Sequence, residues 1–183
     1  NNGDAISDYV VKSCKSTTCT EFVHEASTNT TITVTGLTNG TAYTFKVAAK
    51  NAAGTGSEAT SGGVTPRTVA GAPTGVAGTP GDKKVDLTWT APVDTGGAAV
   101  TDYVVQYCTS TCTTFTDAVS SATSATVTGL TNGTTYTFQV AAVNDAKTGS
   151  YSARSSEVTP RTVPGIPTNA TAAANNIGGV KID

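Results

Sequence analysis

Apolar and polar positions alternate with a period of two along several short stretches of this chain, and the alternating apolar residues are mostly β-branched or aromatic. Val85, Leu87 and Trp89 fall on one face of a first clear stretch, and Tyr103, Val105 and Tyr107 on one face of the next. Ala125 and Val127 precede Leu130, and Tyr136, Phe138, Val140 and Ala142 then alternate with polar or small neighbours. This period predicts half-buried strands, each with one dry and one wet face, as an antiparallel sheet on a core requires. Two such sheets face to face make a sandwich. Thr79-Pro80-Gly81-Asp82, Thr95-Gly96-Gly97 and Thr131-Asn132-Gly133 interrupt the stretches with turn chemistry. Trp89, Tyr103, Val105, Leu130, Phe138 and Val140 are the candidate core. Helix signals are poor.

The pattern is duplicated. Asp8-Tyr9-Val10-Val11 recurs at Asp102-Tyr103-Val104-Val105, and Thr65-Pro66-Arg67-Thr68-Val69 recurs at Thr159-Pro160-Arg161-Thr162-Val163, each 94 positions on. Gly36-Leu37-Thr38-Asn39-Gly40-Thr41 recurs at Gly129-Leu130-Thr131-Asn132-Gly133-Thr134, 93 positions on. A period this long exceeds any solenoid repeat, so each copy is expected to be a domain with its own core. Residues 70–163 read as a complete module. Residues 1–69 read as a module lacking its first two strands, because Asn1-Asn2-Gly3 aligns with Thr95-Gly96-Gly97. Residues 164–183 read as the first two strands of a following module, or as strands that complete the first module of another copy. Burying a Trp is worth about 4–6 kcal/mol, comparable to the whole stability of many small domains. The open first module is therefore expected to be unstable alone, either continuing covalently or completed by strand addition from a second copy.

A lone Trp89 on the second strand, Tyr103-x-Val105-x-Tyr107 on the third and Leu130 six residues before Tyr136 together resemble the fibronectin type III family, and the wording Gly-Leu-Thr-Asn-Gly-Thr-x-Tyr-Thr-Phe is similar to its bacterial branch. The resemblance implies an all-β fold of tandem immunoglobulin-like, antiparallel β-sandwiches. It also implies that Tyr43 and Tyr136 form tyrosine corners, each hydroxyl tied to upstream backbone. Two departures stand out: Ser13 replaces the residue equivalent to Tyr107, and the paired cysteines are not a general family feature.

Four cysteines form two close pairs, Cys14 with Cys19 and Cys108 with Cys112, at matching places in the two copies. They read as one small disulfide per module in an oxidising compartment, each stapling a local hairpin and removing about 2 kcal/mol of unfolded-chain entropy. A shared zinc site or a redox pair is the alternative, and zinc is disfavoured because the pairs lie in separate modules. The net charge of −2 and 13% charged residues leave no basic stripe for nucleic acid. No apolar run is long enough to span a bilayer.

Candidate chemistry is sparse. His24 is the only histidine, its counterpart is Asp117, and it reads as an exposed loop residue rather than a general base. The glycine pairs Gly54 with Gly56 and Gly96 with Gly97 open no helix and read as turn glycines, not a phosphate loop. Asp4, Asp8, Asp94 and Asp102 are too scattered to wrap a calcium ion. Asn29, Asn39, Asn132 and Asn169 each begin a glycosylation triplet that turn chemistry explains as well. Proline-bearing linkers at Pro66–Pro73 and Pro160–Pro167 favour a stiff rod. No catalytic residue, metal or cofactor is expected. The function expected is a structural repeat of an extracellular fibre or cell-surface protein, with neighbouring modules or further copies as head-to-tail partners and cell-surface polysaccharide as a further one. The alternatives are a spacer in a secreted polysaccharide-degrading enzyme, or an adhesin stalk.

Overall fold

The computed structural model describes residues 3–168, 171–174 and 180–182. Fourteen strands occur among them and every pairing is antiparallel. In the second copy, β6 (Thr74–Gly81), β7 (Lys84–Thr90) and β10 (Ser124–Thr128) form a three-stranded sheet in the order β10-β7-β6. The facing sheet runs β12-β11-β8-β9, built from β8 (Val100–Cys108), β9 (Cys112–Phe115), β11 (Thr137–Asn144) and β12 (Lys147–Tyr151).

Inward positions follow the period-two pattern. Val85, Leu87 and Trp89 on β7 are 0%, 1% and 7% exposed, so the alternation in sequence marks the buried face directly. Tyr103 and Val105 on β8, Phe138 and Val140 on β11, Val127 and Leu130 meet them in one cluster that also takes in Tyr136 and Ala142. Trp89 sets its edge toward Tyr103 with ring centroids 5.2 Å apart, and Tyr107 does the same toward Tyr136 at 6.0 Å, favourable quadrupole geometry for ring pairs.

The first copy forms one sheet. It is ordered β2-β1-β3-β4, from β1 (Asp8–Lys15), β2 (Thr18–Phe22), β3 (Thr44–Asn51) and β4 (Gly54–Thr55), with β5 (Ala59–Thr60) also on β3. Its register repeats that of the second copy: Val11 faces Val47 as Val105 faces Val140. No second sheet lies over its inner face among the described residues. The consequence shows in matched pairs. Val140 is 0% and Val158 8% exposed, whereas their counterparts Val47 and Val64 are 38% and 54% exposed. Near the C-terminus β13 (Ala172–Ala174) pairs with β14 (Val180–Ile182), and this hairpin stands apart from the other sheets.

Candidate functional site

The residues singled out in the sequence fall into three places. The core set gathers inside the second module. Trp89, Tyr103, Val105, Leu130, Phe138 and Val140 belong to one buried cluster, and none reaches the surface as a binding platform. Burial pushes the Tyr103 phenol above its usual range, against a smaller opposing contact with Trp89.

The second place is the turn before β3 and before β11. The Thr131 amide donates to the Tyr136 hydroxyl at 3.2 Å, and the Thr38 amide donates to Tyr43 at the same distance. Each tyrosine also bridges to a late strand residue, Tyr43 to Val64 and Tyr136 to Val158. The Thr38 amide, followed by its hydroxyl, holds the Tyr43 phenol below its ordinary value. Both rings thereby fasten the crossover to the sheet.

The third place is the hairpin tip. Cys14 is bonded to Cys19 and Cys108 to Cys112, each closing the turn between two paired strands. One sulfur-bearing residue of each pair is buried, Cys14 at 2% and Cys108 at 1% exposed. Both bonds therefore tie a surface turn to a buried position on the preceding strand. Among the described residues no group of three or more metal-binding side chains converges.

His24 departs from the expectation of an exposed loop. It is half-buried, with Nε2 2.9 Å from the Tyr9 carbonyl and Nδ1 2.8 Å from the Glu25 carbonyl. The ring lies against β1 through the Tyr9 carbonyl and beside Phe22, with ring centroids 6.1 Å apart. Both nitrogens lie within hydrogen-bond distance of backbone carbonyls, and a neutral ring donates to one of the two. Of Asp4, Asp8, Asp94 and Asp102, three accept backbone amides. Asp8 accepts from the Ser27 amide, Asp102 from the Ser120 amide and Asp94 from the Gly96 amide. That first bond holds the Asp8 carboxyl below its ordinary value. The triplet at Asn169 begins outside the described residues.

One cavity was not legible in the sequence. An open pocket of about 290 Å³ in the first copy is lined by Tyr9, Val11, Thr30, Ile32 and Val47, with His24 at its rim. In the second copy the counterparts of these residues are Tyr103, Val105, Thr123, Ala125 and Val140. There the Trp89 ring meets Tyr103, and the Trp89 amide donates to the Thr123 carbonyl at 3.1 Å. The pocket thus occupies the place that Trp89 and β7 fill in the second module.

The exposed large hydrophobic side chains are aliphatic, among them Val23, Ile32, Val93, Val119 and Ile166, and they are scattered along the chain. None of these exposed side chains is aromatic, and the aromatic residues outside the core, Tyr9, Phe22, Tyr43, Phe45 and Tyr151 among them, are half-buried. No helix is long and apolar enough to cross a membrane among those residues.

In the second copy two antiparallel sheets close over a single aromatic-aliphatic core, and with a tyrosine corner in each copy the chain has an immunoglobulin-like β-sandwich fold. The fibronectin type III domain model matches residues 1–63 and 71–158, and the chain belongs to that family. It is 43% identical to endoglucanase B of Cellulomonas fimi over 172 residues, covering 87% of this chain and 16% of that protein. It is 42% identical to chitinase A1 of Niallia circulans over 145 residues, covering 74% of this chain and 19% of that protein. The chain therefore spans less than a fifth of either relative. A crystal structure of consecutive titin domains superposes with a TM-score of 0.56 at 25% identity, covering 83% of this chain and 54% of the other.

Proposed function

We propose that this chain is a non-catalytic extracellular spacer, a run of fibronectin type III modules that separates the working domains of a polysaccharide-processing enzyme. The observation that carries this is the match to two glycosidases by name, at over 40% identity, across a segment amounting to 16% and 19% of their lengths. The surface agrees with it: Trp89, Tyr103, Tyr136 and Phe138 are buried in the core of the second module, and among the described residues no aromatic side chain is one of the exposed large hydrophobic residues. Incubation with insoluble cellulose and chitin, followed by sedimentation and a reducing-sugar assay, is expected to leave the protein in solution and the polysaccharide intact. Retention on either solid would replace the spacer with a carbohydrate-binding module, and released sugar would make the chain an enzyme.

A second function, a fibre or cell-surface rod grown by strand addition, is favoured by one specific observation. β13 and β14 pair in the register of β6 and β7: Ala172 faces Ile182 as Gly78 faces Leu87, and Ala174 faces Val180 as Pro80 faces Val85. A hairpin of this form from another copy has the shape to cover the open sheet and its pocket. Sedimentation at increasing concentration is expected to show growing head-to-tail chains that disappear when residues 164–183 are removed. A monomer at all concentrations would eliminate this second function.

A further inference from the structure

The two modules meet largely through backbone, at a place where three glycine-bearing segments converge. The Asn39–Gly40 turn of the first module touches the loop between β7 and β8 of the second at Gly97. Gly97 has φ of 82°, and a Cβ built on it would lie 2.2 Å from the Gly40 amide nitrogen and 2.6 Å from the Asn39 carbonyl carbon. A Cβ on Gly96 would lie 2.2 Å from the Thr68 carbonyl oxygen. No side chain larger than hydrogen fits between the modules here. The linker is sewn to the second module as well: Thr68 N donates to Gly96 O and Gly71 N to Asp94 O, both at 2.8 Å.

One side chain joins these pieces. Asn144, at the end of β11 and 4% exposed, donates through Nδ2 to the Thr68 carbonyl at 2.9 Å and to the Thr95 carbonyl at 2.8 Å. Its Oδ1 accepts from Ala146 N at 2.9 Å and so caps its own turn. The adjacent Arg67–Asp145 ion pair at 3.1 Å has side chains 52% and 62% exposed, so water screens it and orientation falls to Asn144. The downstream face of the second module repeats the upstream half of this joint. Gly133 N donates to Pro160 O at 2.9 Å, as Gly40 N donates to Pro66 O at 2.9 Å, and Arg161 stands where Arg67 does. A Cβ on Gly133 would meet nothing within 4 Å among the described residues.

We propose that the turn around Gly133, with Pro160 and Arg161, is a docking surface for a further fibronectin type III module, and that its partner must offer paired glycines in the loop before its third strand and an asparagine equivalent to Asn144. This rests on the spacer function and adds to it a fixed angle between modules.

The test uses a chain lengthened after Val163 by a second copy of residues 70–163, which carries a complete core. Alignment tensors from residual dipolar couplings are expected to be the same for both copies, and small-angle scattering to give a single extended distance distribution. Asn144→Asp in the appended copy keeps the turn-capping oxygen but turns a carboxylate toward two carbonyls. It is expected to decouple the two tensors and broaden the distribution while the Trp89 environment of both copies stays native. Independent tensors in the unsubstituted lengthened chain, or unchanged coupling after Asn144→Asp, would overturn the docking surface. Neither result bears on the spacer function, which the polysaccharide sedimentation assay judges separately.

Discussion

The same substitution made at two equivalent positions isolates what a covering sheet contributes. Val140 and Val47 occupy matching sites on β11 and β3, facing Val105 and Val11 across the same register, yet one is 0% and the other 38% exposed. Val140→Ala removes two carbon groups from a closed core, a loss of about 1.6 kcal/mol by transfer, and the incompletely collapsed space adds about 1 kcal/mol. A total of about 2–3 kcal/mol follows. At Val47 part of the side chain already meets water and the vacated space opens into the pocket, so the expected cost is below about 1 kcal/mol. The single Trp lies in the second module, which makes its fluorescence a selective probe of that module. With a urea m-value of about 1–3 kcal/mol/M, Val140→Ala should lower the fluorescence midpoint by about 1–2 M, and Val47→Ala should leave it in place. Hydrogen exchange of the β1–β3 amides would report the first module. Equal losses at the two sites would mean that the first sheet is covered in solution, and no shift for Val140→Ala would refute the single closed core.

Tyr136→Phe removes the acceptor of the Thr131 amide and is expected to cost about 1 kcal/mol, read as a lower fluorescence midpoint; an unchanged midpoint would show that the corner does not hold the crossover. Reducing the Cys108–Cys112 bond, or replacing both residues by serine, should cost about 2 kcal/mol while leaving strand content by circular dichroism unchanged. Loss of the sheet on reduction would contradict a local staple. Asp86 is held below its ordinary value of 3.8, first by Lys84 and then by the Thr126 hydroxyl. Its stabilising contribution is complete above 3.8 and is lost as the pH falls through the lower folded value, so Asp86→Asn should flatten the acid limb of midpoint against pH. An unaltered acid limb would show that this carboxylate is not linked to folding.

Period-two alternation in residues 85–89, 103–107 and 136–142 determined the strands and the inward faces, because on a pleated strand every second side chain shares one environment. The 94-residue repeat, with the turn glycines and the tyrosine six positions after leucine, sufficed to identify the family, since each of these is a local device with a local signature. Three features were decided only by tertiary structure. His24 follows Phe22-Val23 and precedes Glu25, and nothing in these neighbours shows that its ring meets the Tyr9 carbonyl. The pocket beside it arises from what does not lie over Val11 and Val47, a property of layers rather than of any stretch of residues. Asn144 reads as an ordinary turn residue, and its role across the joint depends on carbonyls 76 and 49 positions away. Alternation and turns are set by neighbours along the chain, whereas layering and docking are set by neighbours in space.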